Sequence, residues 1–281
     1  MRLGGPVFVE SDDPEVLARA HRDLGYRAAY TPGGLTAGDT ARIKAVRDAF
    51  AKHDVIIAET GVWNNLMDPD EQARRKNVST VIDGLALAEE LGSLCCVNIA
   101  GGFSASFWAG PHPKNFSQAA FDLAVENART IIDAVKPKTA KFTYEMMPHM
   151  IPDSASRYLD LVQAVDRDAF GVHLDAVNAI NSPYAYYDTT AVIRECFEKL
   201  GEHVVSCHLK DISMEDDITV RLTEVLAGQG GFDIRSYVSG VAGLAHKPPL
   251  MLEHLKSPAE YERAREHVLS VARDIGVSFD D

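Results

Sequence analysis

The feature that most constrains the fold of this chain is an alternation of short apolar runs with longer amphipathic segments, repeated eight times in 281 residues. Continuous apolar strands that alternate with helices are typical of a parallel sheet covered on both faces. The predicted strands lie at residues 6–10, 27–30, 54–60, 94–100, 140–146, 170–176, 203–211 and 248–255. The predicted helices lie at 13–25, 37–53, 70–92, 117–136, 153–165, 188–200, from about 232, and 258–276.

Eight strand–helix units favour closure into a single (β/α)8 barrel over residues 1–281, because such barrels commonly take ~250 residues. The alternative is an open, doubly wound sheet. The turn after the first predicted strand lacks the GxGxxG pattern of dinucleotide-binding sheets, which favours the barrel. The loops that follow barrel strands form the active-site face, so the irregular stretches at 101–116 and 212–231 are expected there.

Charge and composition exclude several classes of partner. The formal net charge is −13 and the pI is near 5.2, which argues against nucleic-acid phosphates and anionic membranes as partners. No apolar stretch reaches the ~20 residues of a membrane span, and the first residues lack the apolar core of a signal peptide. The four cysteines form no CxxC pair, which indicates free thiols in a reducing compartment. We therefore expect a cytoplasmic protein.

Polar side chains lie near the carboxyl ends of four consecutive predicted strands, the fifth to the eighth. They are Glu145, Asp175, His208 and Glu253. Neighbouring strand ends of a barrel lie around one rim, so three carboxylates and one imidazole are expected to converge. Converging carboxylates repel one another, and a divalent cation relieves that repulsion. The oxygen-rich ligand set suits Mn²⁺, which is our prediction, or Mg²⁺, with Co²⁺ and Zn²⁺ as further alternatives.

Each of these four residues also has an ordinary explanation when it is taken alone. An acid at a strand end is most often a helix cap or a surface group, and a lone histidine in an apolar strand is most often part of the core. The prediction of a metal site rests on the joint pattern of one such residue on each of four neighbouring strands.

The whole chain resembles the xylose isomerase-like TIM-barrel superfamily, in its branch of sugar isomerases and epimerases related to ketohexose 3-epimerases. The resemblance is carried by the four strand-end residues and by "HLKD" (208–211), "GQGGFD" (228–233) and "AETGVWNN" (58–65). It implies that Glu145, Asp175, His208 and Glu253 bind the metal. It also implies that Glu145 and Glu253 exchange a proton with the substrate carbon.

Two departures weigh against a simple ketohexose epimerase. Asn178 stands where those epimerases carry a histidine, and 212–217 reads "ISMEDD", without the arginine that they place there. In addition, "YEMMPHM" (144–150) and "LDAVNAINSPYAYYD" (174–188) resemble the large subunits of C-glycoside deglycosidases, metal-dependent lyases that act on 3-oxo-sugars attached to an aglycone. This second resemblance implies that His149 acts as an acid or base.

Both resemblances imply one shared step, in which a base removes the proton α to the carbonyl of a metal-chelated keto-sugar and forms an enediolate. An isomerase or epimerase then returns the proton, whereas a lyase expels a β-substituent. An endonuclease on abasic DNA is disfavoured by the charge and by the lack of histidines on the second to fourth strand ends. A binding protein without catalysis is disfavoured because all four ligands are present. The expected partners are a small-molecule sugar and a second copy of the chain or a small partner subunit.

Further side chains on the predicted active-site face are candidate substrate contacts. Side chains two residues apart in a strand point the same way, which places some of them beside the metal ligands. Each also has a structural alternative: a helix cap, a buried core histidine, an ion pair, or an aromatic cover for the barrel mouth. The candidates are Glu59, Trp63, Asn98, Trp108, His173, Asn178 and Lys210.

Overall fold

Eight parallel strands close on themselves in the computed structural model, which describes residues 1–280. Counted along the chain, the strands follow one another around the barrel in the order first, tenth, seventh, sixth, fifth, fourth, third and second. The eighth and ninth strands lie outside the barrel and form a separate hairpin. The strands are β1 (Leu3–Gly4), β2 (Ala28–Tyr30), β3 (Ile56–Gly61), β4 (Cys95–Asn98), β5 (Lys141–Glu145), β6 (Phe170–Leu174), β7 (Val204–Leu209), β8 (Asp211–Met214), β9 (Leu222–Val225) and β10 (Leu250–Leu252). The prediction of a (β/α)8 barrel is confirmed.

Helices surround the barrel and connect its strands. They are α1 (Pro14–Asp23), α2 (Thr40–Lys52), α3 (Glu71–Leu91), α4 (Gln118–Val135), α5 (Ala155–Val165), α6 (Pro183–Tyr187), α7 (Thr189–Leu200), α8 (Ile234–Gly243) and α9 (Pro258–Asp274). Most begin after a residue whose side chain accepts a hydrogen bond from a free backbone N–H group of the first turn. Ser117, for example, caps α4 by accepting from the N–H of Ala120.

The period-two alternation of the strands decides which residues enter the barrel. In β5, Phe142 and Tyr144 face the surrounding helices, and the Tyr144 hydroxyl donates to the carbonyl of Ala124 in α4 at 3.1 Å. Thr143 and Glu145 therefore face the barrel interior. The same alternation in β7 turns Ser206 and His208 inward.

Two predictions about the chain path were wrong. The first strand is Leu3–Gly4 rather than residues 6–10. A Cβ at Gly4 would lie 2.3 Å from the sulfur of Met251, so this position in the barrel wall requires glycine. The strand therefore lacks the apolar run by which strands were predicted. The segment 212–231, expected to be irregular, contains most of the antiparallel hairpin β8–β9.

All four cysteines are free and buried. No helix within residues 1–280 combines the length and the apolar character that a membrane crossing requires.

Candidate metal centre

Four strand ends bring the predicted metal ligands together. Glu145 ends β5, Asp175 follows β6, His208 lies in β7 and Glu253 follows β10. One ligand atom from each lies within 4.8 Å of the other three, and all four side chains are buried. The sequence pattern therefore selected residues that meet in space, although up to 108 positions separate them along the chain.

His208 stands at the centre of this cluster. Its Nδ1 lies 3.1 Å from Oε1 of Glu145 and 2.9 Å from Oε2 of Glu253. In the barrel order, β10 lies on one side of β7, and β5 lies beyond β6 on the other. The two glutamates therefore approach the same imidazole nitrogen from opposite sides of its strand.

Lys210 places a positive charge inside the cluster. Its Nζ lies 2.7 Å from Oδ2 of Asp175, 2.8 Å from Oε1 of Glu253 and 3.1 Å from Oε1 of Glu224 on β9. Burial alone would lower the pKa of Lys210, but Asp175 and Glu253 raise it well above its usual value. The side chain is therefore an ammonium ion, and the structure pairs it with carboxylates rather than leaving it free.

Burial and neighbouring charges shift the pKa values of the other groups in opposite directions. Burial raises the pKa of Asp175. It would also raise the pKa of Glu253, but His208 and Lys210 outweigh burial and hold that pKa well below its usual value. Burial would lower the pKa of His208, whereas Glu253 and Glu59 raise it well above its usual range. Groups whose environments separate their pKa values in this way are frequent at functional sites.

The residues present fit a divalent cation. Oδ2 of Asp175 is buried and forms an ion pair with Lys210 at 2.7 Å. Oδ1 of the same side chain accepts the N–H groups of Val177 and Asn178, which fixes the orientation of the carboxylate. Three oxygen donors and one imidazole nitrogen form the ligand set that Mn²⁺ and Mg²⁺ accept.

A second group of titratable side chains lies beneath the first. Glu59 on β3 is 1% exposed, and its Oε1 lies 3.0 Å from Nε2 of His173 and also accepts the hydroxyl of Ser206. Its Oε2 lies 3.1 Å from Nε2 of His208. Burial would raise the pKa of Glu59, but His173 and His208 lower it far below its usual value. The sequence predicted Glu59 and His173 as substrate contacts; Glu59 also lines a cavity on this face, and direct contact of either side chain with substrate stays a prediction.

Two predicted substrate contacts hold the backbone of the rim. Asn98 is fully buried; its amide accepts the N–H of Asn64 at 2.9 Å and donates to the carbonyl of Asn64 at 3.0 Å. Asn178 donates to the carbonyl of Met146 at 2.8 Å. These contacts fix the loops after β3 and β5, and direct contact of either amide with substrate stays a prediction.

The aromatic and imidazole residues predicted at the barrel mouth take different places. Trp63 is 49% exposed and lines a cavity above the cluster. Trp108 packs against Ile99 and Met150 instead. The ring of His149 is exposed and lies outside both the cluster and the cavity lining, and its carbonyl accepts from Asn115 at 2.8 Å. A catalytic role for His149 stays a prediction, which this position does not favour.

The cavity has a volume of about 870 Å³, within the ~300–1,000 Å³ that is common for small-molecule sites. His208, Glu253, residues of α3 and the segment 31–37 after β2 all line it. Sequence reasoning did not identify this segment, although its glycine pair, Gly33 and Gly34, is a signal of an irregular loop on the active-site face.

His254 lines the cavity although it directly follows Glu253 in the sequence. Strand alternation predicts that it points away from Glu253, towards the helices. However, β10 ends at Leu252, and His254 adopts a positive φ of 58°. Its imidazole lines the cavity, with Nε2 3.3 Å from Oε2 of Glu253 and Nδ1 3.0 Å from Oε2 of Glu224. A non-glycine residue in this conformation is strained, and such strain is frequent at active sites.

Comparisons with known proteins agree with this architecture. D-psicose 3-epimerase from Clostridium cellulolyticum H10, solved with D-tagatose, is 13% identical, with a TM-score of 0.71 over 99% of this chain and 100% of its own. 3-keto-D-glucoside 4-epimerase from E. coli is 12% identical, with a TM-score of 0.70 over 96% of this chain and 99% of its own. A xylose isomerase-like TIM-barrel protein from Mycobacterium smegmatis, in complex with magnesium, is 18% identical, with a TM-score of 0.66 over 93% of this chain and 88% of its own.

At these identities the structural similarity establishes a shared fold and no more. A search of curated proteins finds no match. A family profile described as "Xylose isomerase-like TIM barrel" matches residues 18–271, which is most of the chain and includes all four predicted metal ligands. The chain therefore belongs to the xylose isomerase-like TIM-barrel family.

Proposed function

We propose that this protein is a divalent-metal-dependent sugar isomerase or epimerase that moves a proton on the carbon α to the carbonyl of a keto-sugar. The observation that carries the proposal is the pair Glu145 and Glu253, which approach Nδ1 of His208 at 3.1 and 2.9 Å from opposite sides of β7. Two carboxylates beside one cation site can act on the two faces of one substrate carbon. Two proteins of the same fold, D-psicose 3-epimerase and 3-keto-D-glucoside 4-epimerase, are epimerases by name.

Four residues would hold the cation: Glu145, Asp175, His208 and Glu253. When bound, a divalent cation would bind adjacent oxygens of a hydroxy-ketone and withdraw electron density from the carbonyl, which acidifies the neighbouring C–H. The two carboxyl groups themselves move the protons: one, as a carboxylate, accepts the proton of the α carbon, and the other, in its carboxylic acid form, donates its own proton to the opposite face.

Burial supports this chemistry in a second way. The four ligand candidates and Lys210 are all buried, so little water competes for the charges at the reacting carbon. Lys210 compensates the charge of Asp175 and Glu253, at 2.7 and 2.8 Å, and keeps the cluster from carrying three uncompensated negative charges.

A metal-dependent lyase acting on a 3-oxo-sugar glycoside is the second candidate, and the cavity favours it. The cavity has a volume of about 870 Å³ and is lined by Trp63 and the segment 31–37 as well as by Glu253, which leaves room for a group attached to the sugar. In this reaction, the α proton leaves to a carboxylate, the bond from the β carbon to the aglycone breaks, and the aglycone takes the electron pair and a proton. His254 is the imidazole that lines this cavity, so it is better placed than His149 to donate a hydrogen bond to the aglycone.

Deuterium exchange tests the step that both reactions share. Free ketoses and 3-oxo-glycosides are incubated with the Mn²⁺-loaded protein in D₂O, and NMR follows deuterium at the carbon α to the carbonyl. We expect exchange with the wild type and a loss of at least ~100-fold in Glu145→Gln and Glu253→Gln. Glu262→Gln, an exposed change on α9, is the matched control and should exchange like the wild type. Lack of exchange on every keto-sugar by metal-loaded wild type would contradict the proposal, and the products separate an epimer from a released aglycone.

A further inference from the structure

One buried carboxylate, that of Glu59, connects two imidazoles across the inside of the barrel. β3, which carries Glu59, and β7, which carries His208, lie opposite each other, four strands apart in either direction around the closed order. Oε2 of Glu59 nevertheless reaches Nε2 of His208 at 3.1 Å, and Oε1 lies 3.0 Å from Nε2 of His173. The side chain of Glu59 therefore crosses the barrel interior and contacts the imidazole of His208, which is a predicted metal ligand.

The two nitrogens of His208 are thereby assigned to different neighbours. Nε2 faces Glu59, and Nδ1 faces Glu145 and Glu253 at 3.1 and 2.9 Å. A neutral imidazole has one N–H and one lone pair, and a carboxylate that accepts the N–H from one nitrogen leaves the lone pair on the other. In the neutral imidazole, Nε2–H bound to Glu59 leaves the lone pair of Nδ1 for a cation held by the carboxylates.

We propose that Glu59 is a positioning residue, which fixes the ring orientation and tautomer of His208 so that Nδ1 is presented to a divalent cation. The inference rests on the metal site of the proposed function and identifies a residue that holds one of its ligands in place. Carboxylates that hold the far nitrogen of a ligating histidine orient it and raise its basicity, and their loss typically costs ~10–100-fold in metal affinity.

Further contacts hold Glu59 itself in place. The hydroxyl of Ser206, two residues before His208 on the same inward face of β7, donates to Oε1 of Glu59. His173 donates to the same oxygen, and its ring lies edge-on to that of His208 with the centroids 4.1 Å apart. Glu59, His173 and Ser206 are at most 1% exposed, so these protein contacts satisfy the carboxylate at the bottom of the cavity that Glu59 lines. This enclosure makes the orientation of Glu59, and through it that of His208, a fixed property of the barrel interior.

A second cation bound by Glu59, His173 and His208 is the competing interpretation. Nitrogen–oxygen distances of 3.0–3.1 Å are those of direct hydrogen bonds between these groups. A cation among them would meet one carboxylate, whereas the group of Glu145, Asp175, His208 and Glu253 offers three. The two interpretations differ in stoichiometry, since positioning requires one ion per chain and the second site requires two.

The test compares Mn²⁺ binding by the full-length wild type, Glu59→Gln, Ser206→Ala, Glu145→Gln and the control Glu262→Gln, using isothermal titration calorimetry. Glutamine keeps the size of Glu59 but loses its charge and one acceptor. We expect one ion per chain in the wild type and the control, a ~10–100-fold weaker Kd in Glu59→Gln, and a smaller weakening in Ser206→Ala. In the proteins loaded with diamagnetic Mg²⁺, ¹⁵N NMR of labelled histidines should show that His208 is protonated at Nε2 in the wild type and that this preference is reduced in Glu59→Gln.

The outcomes separate this inference from the proposed function. If Glu145→Gln loses the ion while Glu59→Gln and Ser206→Ala bind it as tightly as the wild type, positioning by Glu59 is wrong and the metal site stands. Two ions per chain in the wild type would overturn positioning in favour of a second cation site. No binding by the wild type would overturn the metal site and this inference together. If Glu59→Gln does not fold, the weaker Kd expected of Ser206→Ala decides.

Discussion

The ammonium group of Lys210 lies 2.7 Å from the buried carboxylate of Asp175, inside the cluster of predicted metal ligands. A fixed positive charge in a cation site has two consequences. It compensates the carboxylates in the absence of metal, and it shares two of them, Asp175 and Glu253, with any cation that binds. Lys210 therefore determines how strongly the free energy of unfolding depends on bound metal.

Replacing Lys210 with methionine should make stability depend on the metal. Removal of one partner from a buried ion pair commonly costs about 3–5 kcal/mol, because it leaves an uncompensated buried charge. We expect a loss of this size in metal-free Lys210→Met and a clearly smaller loss with saturating Mn²⁺, both measured by urea unfolding. Lys199→Met removes a surface pair with Glu195 at 2.7 Å and should change stability by at most about 1 kcal/mol. Equal stability of metal-free Lys210→Met and wild type would refute this role.

Asp211 should prove essential for the loop that follows the hairpin β8–β9. Its carboxylate accepts the backbone N–H groups of Ile212, Gly228, Gly230 and Phe232 at 2.8–3.0 Å. Asp211→Ala leaves these N–H groups without an acceptor, and each group that stays buried costs about 1–3 kcal/mol. We therefore expect the free energy of unfolding, measured in urea, to fall by at least about 3 kcal/mol. A loss below about 1 kcal/mol would contradict this account.

The same loop requires glycine at position 230. A Cβ there would lie 2.3 Å from both Oδ1 of Asp211 and the carbonyl oxygen of Ile212, whereas a Cβ at Gly243 meets nothing within 4 Å. Gly230→Ala should therefore lower the melting temperature markedly, and Gly243→Ala should leave it nearly unchanged or raise it slightly. Equal melting temperatures of the two variants in a thermal scan would show that the loop can adjust.

Glu89 should make stability decrease in acid. Its carboxylate accepts the N–H groups of Lys138, Thr139 and Ala140 and the hydroxyl of Thr139, at 2.8–3.0 Å. Burial would raise its pKa, but these hydrogen bonds outweigh burial and hold the pKa below the ordinary 4.5. A lowered pKa in the folded state stabilises the fold above the ordinary pKa, and this contribution is lost as the pH falls through the folded value.

Glu89→Gln tests this linkage through the free energy of unfolding at pH 7 and below pH 4. The wild type should exceed the variant in stability at pH 7, and the difference should shrink in acid. Glu262→Gln, which alters an exposed carboxylate on α9, should track the wild type at both pH values. A difference between wild type and Glu89→Gln that stays constant with pH would disprove the assignment.

His254 and His149 can be separated as candidate imidazoles of the active site. His254 lines the cavity 3.3 Å from Glu253, whereas the ring of His149 is exposed outside it. We expect His254→Gln to lower kcat/KM on the active keto-sugar by ~10²-fold or more and His149→Gln to change it less than threefold. The reverse order of effects would restore the role that the sequence resemblance implied for His149.

The barrel and its four strand-end residues were predictable because both follow from periodic patterns. Strand alternation directs Glu145 and His208 inward, and parallel closure brings consecutive strand ends to one rim. The first strand was not predictable, because close packing against Met251 requires glycine at position 4, where a strand pattern expects an apolar side chain.

The contacts that hold the metal ligands in place could not be predicted from the sequence for a different reason. Glu59 and His208 are 149 residues apart and meet across the barrel rather than between neighbouring strands, so no local spacing predicts their contact. The position of His254 does not follow from strand alternation, because alternation holds only while the strand continues, and the chain leaves β10 after Leu252 with a positive φ at His254.

The central claim is that Glu145, Asp175, His208 and Glu253 bind one divalent cation, and elemental analysis of the purified protein tests it most directly. The account predicts about one ion per chain in the wild type and in the control Glu262→Gln after incubation with Mn²⁺ and desalting. It predicts that Glu145→Gln and His208→Ala lose the ion while they remain folded. Absence of bound metal from the wild type, or its full retention in both ligand variants, would contradict the claim.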